Sequence, residues 1–383
     1  MFEAGCVEVR MVSKMGVLKF LSRNMTSFVA QASRDNAILT VARHQSVLSS
    51  KLVYSEYGDP PKVVRQEKEE LRKPAEHEVM IRMLASPVNP ADINTIQGVY
   101  AVKPKLPSIP GNEGVGEIVD VGNGVTNLKV GDRVVPKLNA WGTWRTHAVC
   151  NADELMKISD KIGIVEAATL AVNPCTAYRM LKDFVPLSEG DSVIQNGANS
   201  AAGQNVIQLC KAWGIKSVNI VRNRSDIDEL KKFLTELGAT YVLTEEELRT
   251  TDLFKKGVLV RPKLALNCVG GKNALEVMRH LDSGGVMVTY GGMSREPVTV
   301  PTSALIFKDI TVRGYWMTRW SNENANSPER SRMFEELTNL IIERKLNPPK
   351  HTLIGFERYK EALSNAMSTK GFVGMKYIFD FQK

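Results

Sequence analysis

The chain lacks the features that mark secreted, membrane-spanning and repeat proteins. Its five cysteines are scattered over 383 residues, with no Cys-x-x-Cys pair and no pairing rhythm. This usage is typical of a reducing compartment and argues against a cysteine-based zinc site. No apolar run approaches the roughly 18 residues that a membrane span needs. Internal repeats and low-complexity tracts are absent as well.

The sequence also has only a small excess of basic over acidic residues. The net charge is +8, and part of it lies in the first 50 residues. So mild a balance does not by itself indicate nucleic-acid binding, although it is compatible with an acidic protein partner. With 43% hydrophobic and 24% charged residues, the composition is that of an ordinary globular protein. The length suffices for two domains and a large core.

The most informative stretch, residues 191–224, predicts a strand, a glycine-rich turn, a helix and a second strand. Its first apolar run ends in small and amide residues, Asn196 to Gly203. Such a turn places a phosphate against a helix N-terminus, where free N–H groups and the helix dipole favour anions. The separation of Gly197 and Gly203 does not match G-x-G-x-x-G, so a plain βαβ unit without a nucleotide stays open.

Two arginines follow the second strand, in the order Arg222-Asn223-Arg224. A NAD site usually has Asp or Glu at this point, where it binds the ribose 2′-hydroxyl, whereas arginine suits a 2′-phosphate. The sequence therefore favours NADPH over NADH. The alternative is a pair of solvated side chains at a strand end.

The regions on either side differ in pattern. From residue 51 onward, short strands are separated by glycine and proline turns, which predicts a mostly β domain of roughly 120 residues. Strands then alternate with helices as far as Trp316, which predicts a parallel sheet with ligands at the carboxyl ends of its strands. Residues 317–383 add two helices, predicted around Pro328–Arg344 and Phe356–Met367, and a terminal strand, Met375–Asp380.

Residues 1–50 do not resemble a domain. They are basic, acid-poor and rich in Ser and apolar residues at helical spacing, which is typical of a mitochondrial transit peptide. Glu3 and Glu8 interrupt this pattern. A disordered tail or a surface helix is the alternative, and the mature chain is expected to begin between residues 30 and 50.

Strings from about residue 52 to the end resemble the mitochondrial trans-2-enoyl thioester reductases of the medium-chain dehydrogenase/reductase superfamily. Among them are SPVNPADINTIQGVY, GNEGVGEI, AVNPCTAY, QNGANSAAGQ and TYGGM. The resemblance implies an α/β fold with a GroES-like β-rich catalytic domain (51–174 and 317–383) and a Rossmann-type doubly wound parallel-sheet domain (175–316). It also implies a homodimer in the mitochondrial matrix that reduces enoyl thioesters of acyl carrier protein or coenzyme A with NADPH, without nucleic acid.

The same resemblance implies the site residues. Tyr100 is the implied proton donor, a role that suits a phenol with a reference pKa of about 10. From the sequence alone Tyr100 is one of nine tyrosines, and a turn residue that packs the domain interface is the alternative. The implied cofactor contacts are Asn173, Asn199, Ser200, Ala201, Ala202, Arg222, Asn223, Arg224, Tyr290, Gly291, Gly292, Met293, Tyr315, Trp316, Met317 and Lys376.

Two departures from related patterns matter. Zinc alcohol dehydrogenases of this superfamily have a histidine in Gly-His-Glu, whereas this chain has Gly111-Asn112-Glu113, so no metal site is expected. The thioester reductases usually have Arg-Asp-Arg after the second strand, and Asn223 leaves the two arginines less firmly oriented. Two other functions stay open: an NADPH quinone oxidoreductase, and a non-catalytic regulator or nuclear-receptor partner with a reductase fold.

Overall fold

The structure is a computed structural model that describes residues 46–367 and 375–382. The predicted transit peptide therefore lies almost wholly outside the described residues. The strands are β1 (Val47–Tyr54), β2 (Val64–Leu71), β3 (Glu78–Pro87), β4 (Val115–Val121), β5 (Arg133–Pro136), β6 (His147–Asn151), β7 (Leu155–Lys157), β8 (Ser192–Asn196), β9 (Lys216–Val221), β10 (Tyr241–Thr244), β11 (Leu264–Asn267), β12 (Val286–Thr289), β13 (Thr311–Gly314), β14 (His351–Gly355) and β15 (Lys376–Asp380).

Helices occupy much of the remaining described chain. They are α1 (Pro60–Val63), α2 (Pro90–Ile96), α3 (Ile164–Ala168), α4 (Asn173–Asp183), α5 (Ala201–Ala212), α6 (Ile227–Leu237), α7 (Glu245–Thr250), α8 (Gly271–Arg279), α9 (Thr302–Lys308), α10 (Met317–Glu323), α11 (Pro328–Ile342) and α12 (Tyr359–Met367). None of these helices is long and apolar enough to cross a membrane.

The first sheet is built mainly from the N-terminal strands and completed by the C-terminus. Its order is β14-β15-β3-β4-β5-β7, and β6 pairs with β3. β15 runs antiparallel to β3, with Ile378 opposite Pro87. β1 and β2 form a separate antiparallel ribbon, which joins this half through the Tyr54–Ser108 bridge. The C-terminus is thus an integral part of the β-rich half.

The second sheet is parallel, in the order β10-β9-β8-β11-β12-β13. All residues of β8 and β11 are buried, as expected where helices cover both faces of a parallel sheet. The order reverses direction between β8 and β11, so their carboxyl ends border a crevice. One continuous apolar core contains Leu84 and Val115 of the first sheet and Val193 and Leu264 of the second. This shared core fixes the two halves against each other.

Most of the predicted strands and helices are confirmed within a few residues. The structure adds β2, a strand whose sequence VRQEKEEL is mostly charged because most of its side chains are exposed. In the C-terminal region it adds α10 and β14, and the helix predicted at 356–367 begins as a 3-10 turn, Phe356–Arg358, before α12. The predicted α/β class, a β-rich half beside a doubly wound parallel sheet, is confirmed.

Candidate active site

A cavity of about 630 Å³ lies at the carboxyl ends of β8, β9 and β11 and beside β15. We call it the central cavity. Its lining comes from both halves of the molecule. The lining residues are Val88, Asn89, Pro90, Gly197, Asn199, Ser200, Ala201, Ile220, Val221, Arg222, Arg224, Glu245, Cys268, Val269, Asn273, Met293, Ser294, Asn365, Ala366, Met367, Met375, Lys376 and Tyr377.

The turn after β8 brings backbone close to the cavity. Gly197 has φ 56°, and a Cβ there would lie 2.4 Å from Cys268 Sγ. A Cβ on Gly203 would lie 2.5 Å from the Ala198 carbonyl oxygen, so both positions require glycine. The Ser200 hydroxyl caps α5 by accepting the Gly203 N–H. Since Asn199, Ser200 and Ala201 line the cavity, the first turn of α5 borders space in which an anion is favoured.

The cationic end of the cavity follows β9. Arg222 is exposed and Arg224 is half-buried, and both line the cavity. The Nε of Arg224 is buried and has no hydrogen-bond partner among the described residues. Asn223 is exposed and does not line the cavity. The two guanidinium groups therefore suit a phosphate, and Asn223 contributes no lining atom.

Tyr100 and Trp316 form a polar pair. The indole Nε1 of Trp316 donates to the Tyr100 hydroxyl at 2.8 Å, and the two rings meet edge-on with centroids 6.2 Å apart. Tyr100 follows α2, whose first residue Pro90 lines the central cavity, and Trp316 precedes α10. Because an indole N–H only donates, the phenol oxygen accepts this bond and its own proton remains available to another acceptor.

Of the residues that follow β12 and β13, some face the central cavity and others pack into the core. Met293 is 68% exposed and lines the cavity, and Gly291 approaches the Cys268 carbonyl closely. Tyr315 packs edge-on against Phe184 in the core, and its hydroxyl donates to the Met317 sulfur. Met317 is also buried in that core. The side chains of Tyr315 and Met317 therefore pack into the core.

The structure separates the predicted site residues into two groups. Asn199, Ser200, Ala201, Arg222, Arg224, Met293 and Lys376 line the central cavity. Tyr100, Asn173, Ala202, Asn223, Tyr290, Gly291, Gly292, Tyr315, Trp316 and Met317 do not line it. Sequence reasoning missed Cys268, Val269 and Asn273, although a strand followed by Gly270-Gly271 is a signal for a ligand-facing turn.

A buried polar cluster lies under the cavity around Asn89. Lys376 is 6% exposed and donates to the Asn89 side-chain oxygen. Asp92 and Glu113 are also buried, and burial raises their pKa values to about 6 and about 7. Burial lowers the pKa of Lys376, which faces both carboxyl groups. Sequence reasoning named Lys376 but missed Glu113.

This cluster does not fit a catalytic zinc ion. Asn112 occupies the position of the histidine in Gly-His-Glu, and its side-chain nitrogen donates to Asp92 at 2.6 Å. The oxygens of Asp92 and Glu113 already accept amide N–H groups. Among the described residues no group of three His, Cys, Asp or Glu side chains is arranged to hold a metal ion. The donor set of a zinc enzyme is thus replaced by an amide network.

A GroES-like half and a Rossmann-type half that share a cavity define a two-domain reductase of the medium-chain type. Residues 75–160 match the family model "Alcohol dehydrogenase GroES-like domain", and residues 201–335 match "Zinc-binding dehydrogenase". The chain is 50% identical over 330 residues to the enoyl-[acyl-carrier-protein] reductase, mitochondrial, of Mus musculus, with 85% of this chain and 87% of that protein covered. It belongs to this reductase family.

Two solved structures are similar over the same region. One is a complex of Etr1p with NADP and crotonyl-CoA, with a TM-score of 0.81, 35% identity, and coverage of 88% of this chain and 100% of that chain. The other is the mitochondrial 2-enoyl thioester reductase Etr1p/Etr2p heterodimer from Candida tropicalis, with a TM-score of 0.81, 34% identity and the same coverage. Both structures are similar to this chain over its β-rich half and its Rossmann-type half.

Proposed function

We propose that this chain reduces trans-2-enoyl thioesters to saturated acyl thioesters with NADPH. The hydrogen bond from Trp316 to Tyr100 is the observation that carries this proposal, because it leaves a phenol proton free on the segment after α2, the helix whose first residue Pro90 lines the central cavity. NADPH, when bound, supplies the hydride that the β-carbon of the substrate accepts. The family relationship to mitochondrial enoyl-[acyl-carrier-protein] reductases supports the same reaction and a mitochondrial location.

In this proposal Tyr100 protonates the α-carbon. The Trp316 N–H stabilises the phenolate that remains when the proton has left, since a donor strengthens its bond to an oxygen that gains charge. Trp316 cannot take up the proton itself, because its nitrogen has no free lone pair for it. The proton is therefore directed to the substrate side of the phenol.

We propose cofactor contacts in and around the central cavity, although only some of these residues line it. Those in the lining are Asn199, Ser200, Ala201, Arg222, Arg224, Met293 and Lys376. Asn199, Ser200, Ala201 and Ala202 hold the diphosphate at the start of α5, and Arg222 and Arg224 hold the 2′-phosphate, with Asn223 as a backbone spacer. Asn173 and Lys376 serve the nicotinamide side. The backbone at the ends of β12 and β13 closes that side. After β12 the backbone contacts to the cofactor come from Tyr290, Gly291, Gly292 and Met293. After β13 they come from Tyr315, Trp316 and Met317.

The test is NADPH oxidation with a series of trans-2-enoyl-CoA substrates and, separately, a quinone. We expect turnover of the enoyl thioesters and little with the quinone. Tyr100→Phe keeps NADPH affinity and loses about a hundredfold in kcat, as removal of a general acid does. Tyr241→Phe, on β10, is the matched control and keeps full activity. Quinone turnover without enoyl reduction would favour the quinone oxidoreductase. A protein that turns over neither substrate would favour the non-catalytic regulator.

We propose that the chain forms a homodimer through its Rossmann-type half. β13 pairs with β12 on one side, and all four of its residues are exposed. The adjoining helix α9 exposes Ile306 at 65% and Phe307 at 79%. Among the described strands only β12 pairs with β13, and a free edge beside exposed apolar side chains suits pairing with the same edge of a second copy. The likeness to a heterodimeric reductase supports such a homodimer.

We also propose the domain division. Residues 51–174 and 317–383 form the catalytic domain, because β14 and β15 join the sheet of β3 to β7. Residues 175–316 form the cofactor domain, because β8 to β13 lie within them. An acyl carrier protein is the proposed physiological carrier of the substrate, in keeping with the names of the relatives.

A further inference from the structure

Glu113 is a buried carboxylate that no step of the proposed reaction uses. It is 1% exposed and lies in the loop before β4. Each of its oxygens accepts one amide N–H: Oε1 from the Asn89 side chain at 2.8 Å, and Oε2 from the Val172 backbone at 2.9 Å. The carboxylate thus joins the loop before α2 to the loop before α4.

Asn89 relays this contact to the wall of the central cavity. Its side-chain oxygen accepts from Lys376 Nζ and from the Asn173 side chain, the latter at 3.3 Å. Its side-chain nitrogen is the group that donates to Glu113. Asn89 and Lys376 both line the cavity, and Asn173 is the first residue of α4.

We propose that Glu113 is a positioning residue of the cofactor site, which fixes Lys376 and Asn173 through Asn89 and fixes the start of α4 through Val172. The inference deepens the proposed function, since it assumes that the cavity holds the dinucleotide. Glu113 touches neither cofactor nor substrate in this role.

The position requires the ionised carboxylate, which prevails above the pKa of about 7 to which burial raises Glu113, so NADPH affinity is measured at about pH 8.5. Asn89 can present its oxygen to Lys376 only if its NH₂ group faces an acceptor on the other side, and Glu113 Oε1 is that acceptor. If the Asn89 amide were reversed, its NH₂ group would face the Lys376 ammonium, and two donors would oppose each other. A glutamine at 113 has one oxygen for two N–H donors, so either Asn89 or Val172 loses its acceptor.

The other buried carboxylate of this polar cluster, Asp92, has a different function. Asp92 accepts the backbone N–H of Asn89 at 2.8 Å and two N–H groups of Asn112 at 2.9 and 2.6 Å. These bonds cap α2 and hold the Gly111–Glu113 loop. Among the described residues the Lys376 ammonium has no carboxylate within ion-pair distance, so Asn89 is its direct anchor.

The first experiment measures NADPH affinity by fluorescence in the absence of any enoyl substrate. Glu113→Gln is expected to raise the Kd for NADPH at least about tenfold, because a buried donor loses its acceptor. In turnover, KM for the enoyl thioester is expected to stay within about threefold. Glu117→Gln, which removes a half-exposed carboxylate from β4, is the matched control and leaves the Kd unchanged. A folded Glu113→Gln protein with wild-type NADPH affinity would overturn the proposal.

The second experiment exchanges the amide group at position 89 and the carboxylate group at position 113. In Asn89→Asp with Glu113→Gln, the new aspartate accepts from Lys376 and from the new glutamine, whose oxygen accepts the Val172 N–H. Every donor regains an acceptor and the net charge is unchanged. We expect NADPH affinity within about threefold of wild type, although each single variant is impaired or unfolded. A double variant no better than the product of the two singles would contradict the positioning role.

These readouts separate the two proposals. If the wild-type protein binds NADPH but reduces no enoyl thioester, the proposed function fails, while the Kd values still decide the role of Glu113. If enoyl reduction is confirmed and Glu113→Gln binds NADPH normally, only the positioning role fails.

Discussion

The contact between Trp316 and Tyr100 determines what the phenol can do with its proton. The oxygen already accepts one N–H, so the ring is held by an edge-on aromatic contact and by a directional bond. Such a fixed donor needs no reorganisation when charge develops on the oxygen, which is the basis of electrostatic stabilisation in enzymes. In a protein that only bound the cofactor, no charge would develop on the Tyr100 oxygen, and the Trp316 N–H would have nothing to stabilise.

Trp316→Phe isolates this bond. It keeps an aromatic ring against Tyr100 and removes the N–H, so we expect NADPH affinity within about twofold and a kcat lower by about five- to tenfold. Trp141→Phe, which removes a half-exposed indole N–H bonded to Glu154, is the control and retains wild-type kcat. The measurement is steady-state reduction of an enoyl-CoA. An unchanged kcat for Trp316→Phe would refute the assigned role of the bond.

The two arginines after β9 give a second prediction at this scale. Arg222→Ala with Arg224→Ala is expected to raise KM for NADPH by about 30-fold or more, since charge-assisted bonds to the 2′-phosphate are lost. KM for NADH is expected to change by less than about threefold, because NADH has no such phosphate. Arg249→Ala, an exposed arginine at the end of α7, serves as the control. Equal changes for both cofactors would remove the 2′-phosphate assignment.

Among the secondary-structure elements, β13 carries the prediction for assembly. Phe307→Asp with Val312→Lys places charge on the exposed edge, and we expect a dimer in the wild type and a monomer in this variant by analytical ultracentrifugation. Val130→Lys changes another exposed valine, 60% accessible, outside this edge and should leave the dimer intact. A variant that remains dimeric with native circular dichroism would place the interface elsewhere.

The elements also show how far the sequence alone can lead. β11 was predictable because Leu264 to Leu266 form an apolar run, as in a strand covered on both faces. β8 has only Val193 and Ile194 as apolar residues, and the glycine-rich turn after them indicated the strand. β2 was not, because an exposed ribbon needs no apolar face, and its charged residues resemble a loop. The family resemblance supplied Tyr100 and Trp316, but not the direction of the Tyr315 and Met317 side chains, which the core decides. Glu113 has no periodic signature, and its partners lie 24 and 59 residues away in sequence.

At the scale of the whole molecule, the buried carboxyl groups link stability to pH. Burial raises the pKa of Asp92 to about 6 and that of Glu113 to about 7, above the ordinary values of 3.8 and 4.5. The folded state therefore holds these protons more tightly than the unfolded state does. Their contribution to stability is complete below the ordinary values and is lost as the pH rises through about 6 to 7.

Urea unfolding at a series of pH values tests this linkage. We expect the free energy of unfolding of the wild type to fall, relative to Glu113→Gln, as the pH rises from about 4.5 to 7.5, by at most about 1.4 kcal/mol per pH unit for one proton. The difference between the two proteins removes the opposite contribution of surface carboxylates such as Asp191, whose pKa is lowered by Lys263. Parallel pH profiles would show that Glu113 does not titrate in this window.

The position of β15 between β14 and β3 has a consequence for folding. β15 pairs with β3 across about 290 residues of sequence, since Ile378 lies opposite Pro87. Pairings of such long sequence separation form slowly, because a large loop must be closed first. The part of the cavity wall that Lys376 contributes is therefore expected to form late in refolding, after the local helix and hairpin contacts.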